Sequence, residues 1–424
     1  MAPSASAEIA ARGWRGDAQA TRRRLLLSVL AFALAAAAWA WAAHELWRSS
    51  VPAGLSLTQV DVHRFFSASF LRRSASFERF LEIDGVLADL VLVAVLVAYA
   101  RGGHRLMRES AAGRIGTGIL LGMLGFALVW LAQAPFELAA VWWERGHHVS
   151  RQGYVSALVE SFLALGGQFV FVALALAVTM ALAGRMRRWW WLPAAPLFAA
   201  LALLSALVSP YLIAKTHPLQ DPVLVADARE LAAREHVRGT RVVVQDVPRA
   251  VTDPNAEAVG LGPTRRVVLW STLTDGRFTR PEIAVVIAHE LGHIAHGHLL
   301  KRVGWLALFL IPATALIALV ARRRGGLGRP EAVPLALLVL VVLELATLPL
   351  RTMVSRHEEA EADWSALRAT HDPVAARSLF RGLATASLGD PDPPAWSYVL
   401  FADHPTIAQR IAMTQAWEVR SHAR

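Results

Sequence analysis

Residues 281–293 read PEIAVVIAHELGH, and the rest of the chain is read outward from them. Pro281 suits the first turn of a helix, where a missing N–H goes unnoticed. Ile283, Val286 and Ile287 then recur at helical spacing and give that helix an apolar face. It ends in His289-Glu290-Leu291-Gly292-His293, the HExxH pattern. Residues four apart share one helical face, about 6 Å apart along the axis. Two imidazoles placed so can both reach one ion at metal–nitrogen distances of about 2.0–2.1 Å. Glu290 leans toward the same side and can take a proton from an activated water.

The other ligands must come from histidine and carboxylate, because the chain has no cysteine. His296 lies about 10 Å along the axis from His289, too far for both to hold one ion on a straight helix. A surface or supporting place is expected for it, and His298 reads as part of a solvated face. The better source is residues 355–363, SRHEEAEAD. They follow an apolar run and read as helix. Glu359 and Asp363 are four apart and share a face. Glu359 is then a candidate third ligand, and Asp363 a candidate acceptor for the far nitrogen of a ligand imidazole. Spacing leaves Glu358 and Glu361 open as ligands. The expected cofactor is one Zn2+ per chain, with one coordination position left for water.

Composition puts this chemistry in a membrane. Of 424 residues, 55% are hydrophobic and only 18% charged, against about 25% charged in ordinary globular chains. A membrane helix needs about 20 apolar residues. Seven runs approach that length: residues 25–47, 86–100, 115–143, 158–183, 189–214, 303–321 and 333–350. The first follows Arg22, Arg23 and Arg24, but it is longer than the apolar part of a signal peptide and reads as a retained span. Glu137 beside Pro135 in the third run, and Glu344 in the seventh, mark either a polar cavity between helices or positions near the interface.

The net charge is +10, nearly all of it from arginine. The arginines cluster beside the runs, at 22–24, 101–114, 185–188 and 322–324, as membrane-flanking charge does. No basic face of the kind a nucleic-acid module needs is found, so nucleic acid is excluded as a partner.

Five regions result. They are an N-terminal tail (1–24), a membrane domain of about five spans (25–214), a catalytic region with the HExxH helix (215–302), two further spans (303–350) and a C-terminal catalytic region (351–424). In the third, residues 222–235 read as an amphipathic helix with Val225, Ala228, Leu231 and Ala232 on one face. Residues 241–246, 255–260 and 266–270 read as short strands, with Gly262 and Pro263 turning the chain between the last two. The fold class expected is mostly α. It is a polytopic membrane protein of about seven transmembrane helices, with a zincin-like catalytic region carrying a small β-sheet.

The HELGH helix followed by SRxxExxAD resembles the M48 peptidases, which include Ste24-type CAAX prenyl proteases and HtpX-type membrane proteases. The resemblance implies Glu359 as the third zinc ligand, with Asp363 and Arg356 as its motif companions. Pro135-Phe136 with Glu144-Arg145-Gly146 is similar to a signature of the Ste24 membrane domain, and residues 215–219, KTHPL, to the lead into its catalytic region. Asn255-Ala256 resembles the segment that lies beside the substrate, although Glu257 stands where the family often has an aromatic residue. His404-Pro405 with Arg410 matches a C-terminal HPxxxxR pattern. By resemblance, His404 would hydrogen-bond the substrate carbonyl. Residues 255–260 could pair with an extended peptide by strand addition. About seven spans suit the Ste24 branch, since HtpX relatives are shorter and would use the same catalytic residues. A zinc-bound scaffold without turnover fits less well, because Glu290 is retained.

The partners implied are an extended peptide or protein substrate and membrane lipid. The alanine- and arginine-rich, lysine-poor composition is that of a GC-rich bacterial genome, where prenylated substrates are not expected. A multi-pass protein of the bacterial plasma membrane is therefore expected. The arginine clusters, counted by the positive-inside rule, place the zinc region opposite the cytoplasm. The resemblance implies a cytoplasmic catalytic region, and that orientation is the one expected here.

Overall fold

The structure is a computed structural model and describes residues 5–105, 112–213 and 215–422. The middle of the arginine-rich segment 101–114 and the last residue of the run 189–214 lie outside the described residues. The chain divides into two compact units that meet at Arg48 and Ser49. The first is one helix, α1 (Ala5–Leu46), whose stretch Leu25–Leu46 is long and apolar enough to cross a membrane.

The second unit begins with four long helices: α2 (Ala68–Gly102), α3 (Gly113–Gly146), α4 (Tyr154–Met186) and α5 (Trp191–Leu212). Then come β1 (Thr216–Pro218), α6 (Pro222–Arg234), β2 (Arg241–Gln245), β3 (Ala256–Val259) and β4 (Arg266–Trp270). The HExxH helix is α7 (Arg280–Ala295), followed by α8 (His298–Ala321) and α9 (Val333–Thr370). The chain closes with α10 (Pro373–Ser387), α11 (Ala395–Leu400) and α12 (Ile407–His422).

Among the described residues, six helical stretches are long and apolar enough to span a membrane: Leu25–Leu46, Gly113–Gly146, Tyr154–Trp189, Trp191–Leu212, His298–Arg324 and Pro330–Thr370. The seventh expected run, 86–100, forms the second half of α2. There Leu96 and Tyr99 are buried in one apolar cluster with Leu121 of α3 and Val333 and Leu337 of α9. The Tyr99 hydroxyl donates to the Leu121 carbonyl at 2.6 Å, which removes a free polar group from that cluster. Glu137 is half-buried. Glu344 is exposed and pairs with Arg351 at 3.1 Å.

Residues 351–370 are not a separate soluble helix. They continue the last span without a break, because nothing between Val333 and Thr370 stops the helix apart from the tolerated Pro349. The candidate third ligand is thereby fixed to a membrane helix.

A second apolar cluster forms the core of the catalytic region. Ile287 and Leu291 of α7 are fully enclosed there with Leu269 of β4, Leu367 of α9, Leu379 of α10 and Ile411 of α12. Each such side chain contributes about 1.5–3 kcal/mol on burial. Gly292 allows this closeness: a Cβ there would stand 3.0 Å from the Ser365 Cβ and 3.3 Å from the Ala362 Cα of α9.

The sheet order is β1-β2-β4-β3, with β2 and β4 parallel and both outer pairs antiparallel. The three expected strands are present. β1 is an addition, a short stretch containing a proline that only its pairing with β2 reveals. β3 is an edge strand. The Trp270 N–H donates to the Asn255 carbonyl at 2.9 Å. By the antiparallel alternation from that bond, Ala256 and Ala258 turn their N–H and C=O away from β4.

Candidate active site

Helix α7 is started by Thr279, whose N–H and hydroxyl both bond the Glu282 carboxylate, at 2.7 and 2.8 Å. That satisfies one of the first-turn groups a helix leaves open. Three to four turns on, the helix presents His289, Glu290 and His293 to a cavity of about 450 Å³. Glu359 of α9, His404 between α11 and α12, Ala256 and Glu257 of the edge strand and Asn255 just before it line the same cavity.

Three donor atoms converge in it. His289 Nε2 is 3.1 Å from His293 Nε2 and 3.0 Å from Glu359 Oε2. His293 Nε2 is 3.4 Å from the same oxygen. A tetrahedral ion with ligands at about 2.0–2.1 Å would separate its donors by about 3.3 Å. The triangle therefore fits such an ion, and these three residues form a group that could hold a metal. Glu358 and Glu361, left open by spacing, point elsewhere. Glu358 pairs with Arg302 at 2.7 Å, and Glu361 with His298 and Lys301, each at 3.0 Å.

Two carboxylates face the His289 ring, one at each nitrogen. Burial pushes the His289 imidazole toward neutrality, but its bonds to Asp363 and Glu359 outweigh burial and hold its pKa up at about 10. A divalent cation in the triangle would replace that proton.

The outer contacts are specific. His289 Nδ1 donates to Asp363 Oδ1 at 2.9 Å. Asp363 accepts two bonds from Arg410, at 2.8 and 2.6 Å, and the guanidinium lies 4.2 Å over the Phe380 ring. Arg356 does not touch the donor triangle. It donates to the carbonyls of Tyr398 and Ala402, at 2.7 and 2.6 Å, and so pins the turn that carries His404.

His404 is half-exposed, with Nε2 3.2 Å from Glu359 Oε2 and Nδ1 2.8 Å from Asp403. Burial pushes its imidazole down, but the bonds to Asp403 and Glu359 prevail and hold its pKa up at about 9. Glu290 makes no hydrogen bond or ion pair among the described residues. Its carboxylate is free to face a water in the cavity.

Asn255 bonds the Ala256 N–H through its own Oδ1 at 2.9 Å. Glu257 stands in the cleft, where desolvation and the nearby Glu290 push its carboxyl up.

The expectation for His298 is overturned. It is 1% exposed and touches His293, Nδ1 to Nδ1, at 2.7 Å. Gly297 adopts φ +64°, which ends α7 and starts α8 in a new direction, folding His298 back onto the site. Arg302 is also unforeseen. It bonds Glu358 and stands 3.4 Å from the second oxygen of Glu359. The only available signal was its place: a charged residue directly before the apolar run 303–321.

The sequence profile described as Peptidase family M48 matches residues 218–418. An uncharacterized metalloprotease, YhfN of Bacillus subtilis (strain 168), is 26% identical over 385 residues, 86% of this chain and 89% of the relative. A protease HtpX homolog of Acidiphilium cryptum (strain JF-5) is 32% identical over 213 residues, 45% of this chain and 72% of the relative. Among solved structures, S. mikatae Ste24p is similar in fold. Its TM-score is 0.66 at 19% identity, covering 89% of this chain and 96% of that one.

Proposed function

The chain belongs to peptidase family M48, and on that premise we propose that its cleft is the active site of a zinc-dependent, Ste24-like endopeptidase. The protein is an integral membrane metalloprotease acting on peptide or protein substrates. The observation that carries the zinc reading is the triangle of His289 Nε2, His293 Nε2 and Glu359 Oε2 beside an unpartnered Glu290.

A bound zinc would supply Lewis acidity, polarising the scissile carbonyl and acidifying a water. The chain's own residues do the rest. Glu290 takes a proton from the water and passes it to the leaving amine. His404 donates from Nε2 to the carbonyl oxygen as charge develops there, and Asp403 keeps that imidazole charged. Asp363 and Arg410 fix the His289 ring. The Ala258 N–H and C=O and the Ala256 C=O face away from β4 and align an extended substrate by strand addition. The Ste24 branch is favoured over an HtpX-like quality-control protease because the HtpX homologs align with under half of this chain. We place the protein in a bacterial plasma membrane with the catalytic region toward the cytoplasm.

The test compares wild type with Glu290→Gln, purified in detergent, for zinc content and for cleavage of an unfolded model protein. Both should hold about one zinc, and the variant should lose about 10²–10⁴-fold in rate. Cleavage by the variant at the wild-type rate, or zinc-loaded wild type that cleaves nothing, would overturn the proposal.

A further inference from the structure

The two candidate ligand histidines are backed differently. His289 donates directly to a carboxylate, Asp363. His293 instead meets a second imidazole: its Nδ1 is 2.7 Å from His298 Nδ1, with ring planes at 74°. His298 Nε2 is in turn 3.0 Å from Glu361 Oε2. Glu361 is 2% exposed and His298 1%, so the His298–Glu361 link is closed to solvent.

We infer that His298 and Glu361 are positioning residues that hold His293 through a two-step relay. The inference rests on His293 being a metal ligand. With its Nε2 lone pair turned to the donor triangle, a neutral His293 must carry its proton on Nδ1. It then donates to His298 Nδ1. A neutral His298 accepting there must carry its own proton on Nε2, which donates to Glu361. Only this order satisfies both contacts with neutral rings. The carboxylate at the end of the chain fixes both tautomers, one imidazole removed from the usual arrangement.

The end of the relay is itself anchored. Glu361 Oε2 accepts from Lys301 Nζ at 3.0 Å, and its Oε1 accepts the Ser50 backbone N–H. His296 Nδ1 stands 3.4 Å from Oε1. The scheme parallels the other side of the site, where the Asp363 carboxylate is neutralised by Arg410. Each ligand ring thus ends on a carboxylate paired with a cation. Glu361 and Glu359 are two apart on α9, so one helix supplies both the third ligand and the support for the second.

The experiment measures zinc transfer from the full-length protein in detergent to a chromogenic chelator, with thermal unfolding of the metal-free form as a check on folding. Wild type, His293→Ala, His298→Phe, His298→Asn and Glu361→Gln are compared. His298→Phe keeps the ring volume and removes the acceptor, and Glu361→Gln keeps the shape and removes the charge. Both should weaken zinc retention by about 10–100-fold, with a cooperative unfolding transition kept in the metal-free form. His298→Asn, whose Oδ1 replaces Nδ1, should recover part of the loss. Retention at the wild-type level in Glu361→Gln or His298→Phe, alongside loss in His293→Ala, would overturn the relay and leave the ligand assignment standing. Wild type without zinc, or with zinc that His293→Ala does not disturb, would instead sink the ligand assignment itself. If His298→Phe does not fold, Glu361→Gln decides.

Discussion

At the scale of single residues, the HExxH pair was legible because its chemistry is local. Four residues of helix place two imidazoles together whatever the rest of the chain does. His298 was misread because its burial depends on one left-handed residue, Gly297, and on a carboxylate 63 positions away. No local pattern carries that information. Arg356 and Arg410 look alike as motif arginines, yet one holds a backbone turn and the other a carboxylate. Glu78 supports a prediction at this scale. Burial pushes its carboxyl up to about 7, while its Oε1 accepts the Asp390 N–H. The folded state keeps this proton above the pH at which the unfolded chain releases it. Its stabilising contribution is therefore full at acid pH and lost as pH rises through about 7. Thermal unfolding at pH 5.5 and pH 8 should show a larger drop for wild type than for Glu78→Gln. Equal drops would mean that Glu78 ionises freely.

Among elements, helix and strand positions followed from apolar spacing, and β4 falls on the predicted residues 266–270. The sequence did not show that α9 is one helix from membrane to site, since its texture changes near Leu350 while its backbone does not. The edge strand makes the sharpest prediction here. Ala258 turns its N–H away from β4, so Ala258→Pro should leave the sheet intact. It should remove one main-chain bond to an extended substrate, worth about 1 kcal/mol, and lower kcat/KM by about five- to tenfold. Unchanged kcat/KM on peptide substrates, with the fold intact, would show that substrate does not add to β3.

For the whole molecule, composition announced a membrane protein, and the spans were countable because about 20 apolar residues are needed for each crossing. Orientation was read two ways: the arginine clusters put the zinc region opposite the cytoplasm, and the family resemblance put it on the cytoplasmic side. Helix α8 begins at His298 beside the site, and α9 returns to it at Glu359. Arg322, Arg323 and Arg324 lie at the far end of α8. Read as a span, α8 puts the site and this arginine cluster on opposite membrane faces. The chain has no cysteine, so single introduced cysteines report cleanly. In intact cells, a cysteine at Arg323 should react with an impermeant thiol reagent and one at Arg238 should not. The reverse pattern would place the active site outside the cytoplasm.

The most direct test of the central claim is X-ray absorption at the zinc edge of the purified, zinc-loaded protein. The expected spectrum is a four-coordinate site with two imidazoles and oxygen ligands, all at about 2.0–2.2 Å. Three or more imidazoles, or no bound zinc, would contradict a site built from His289, His293 and Glu359.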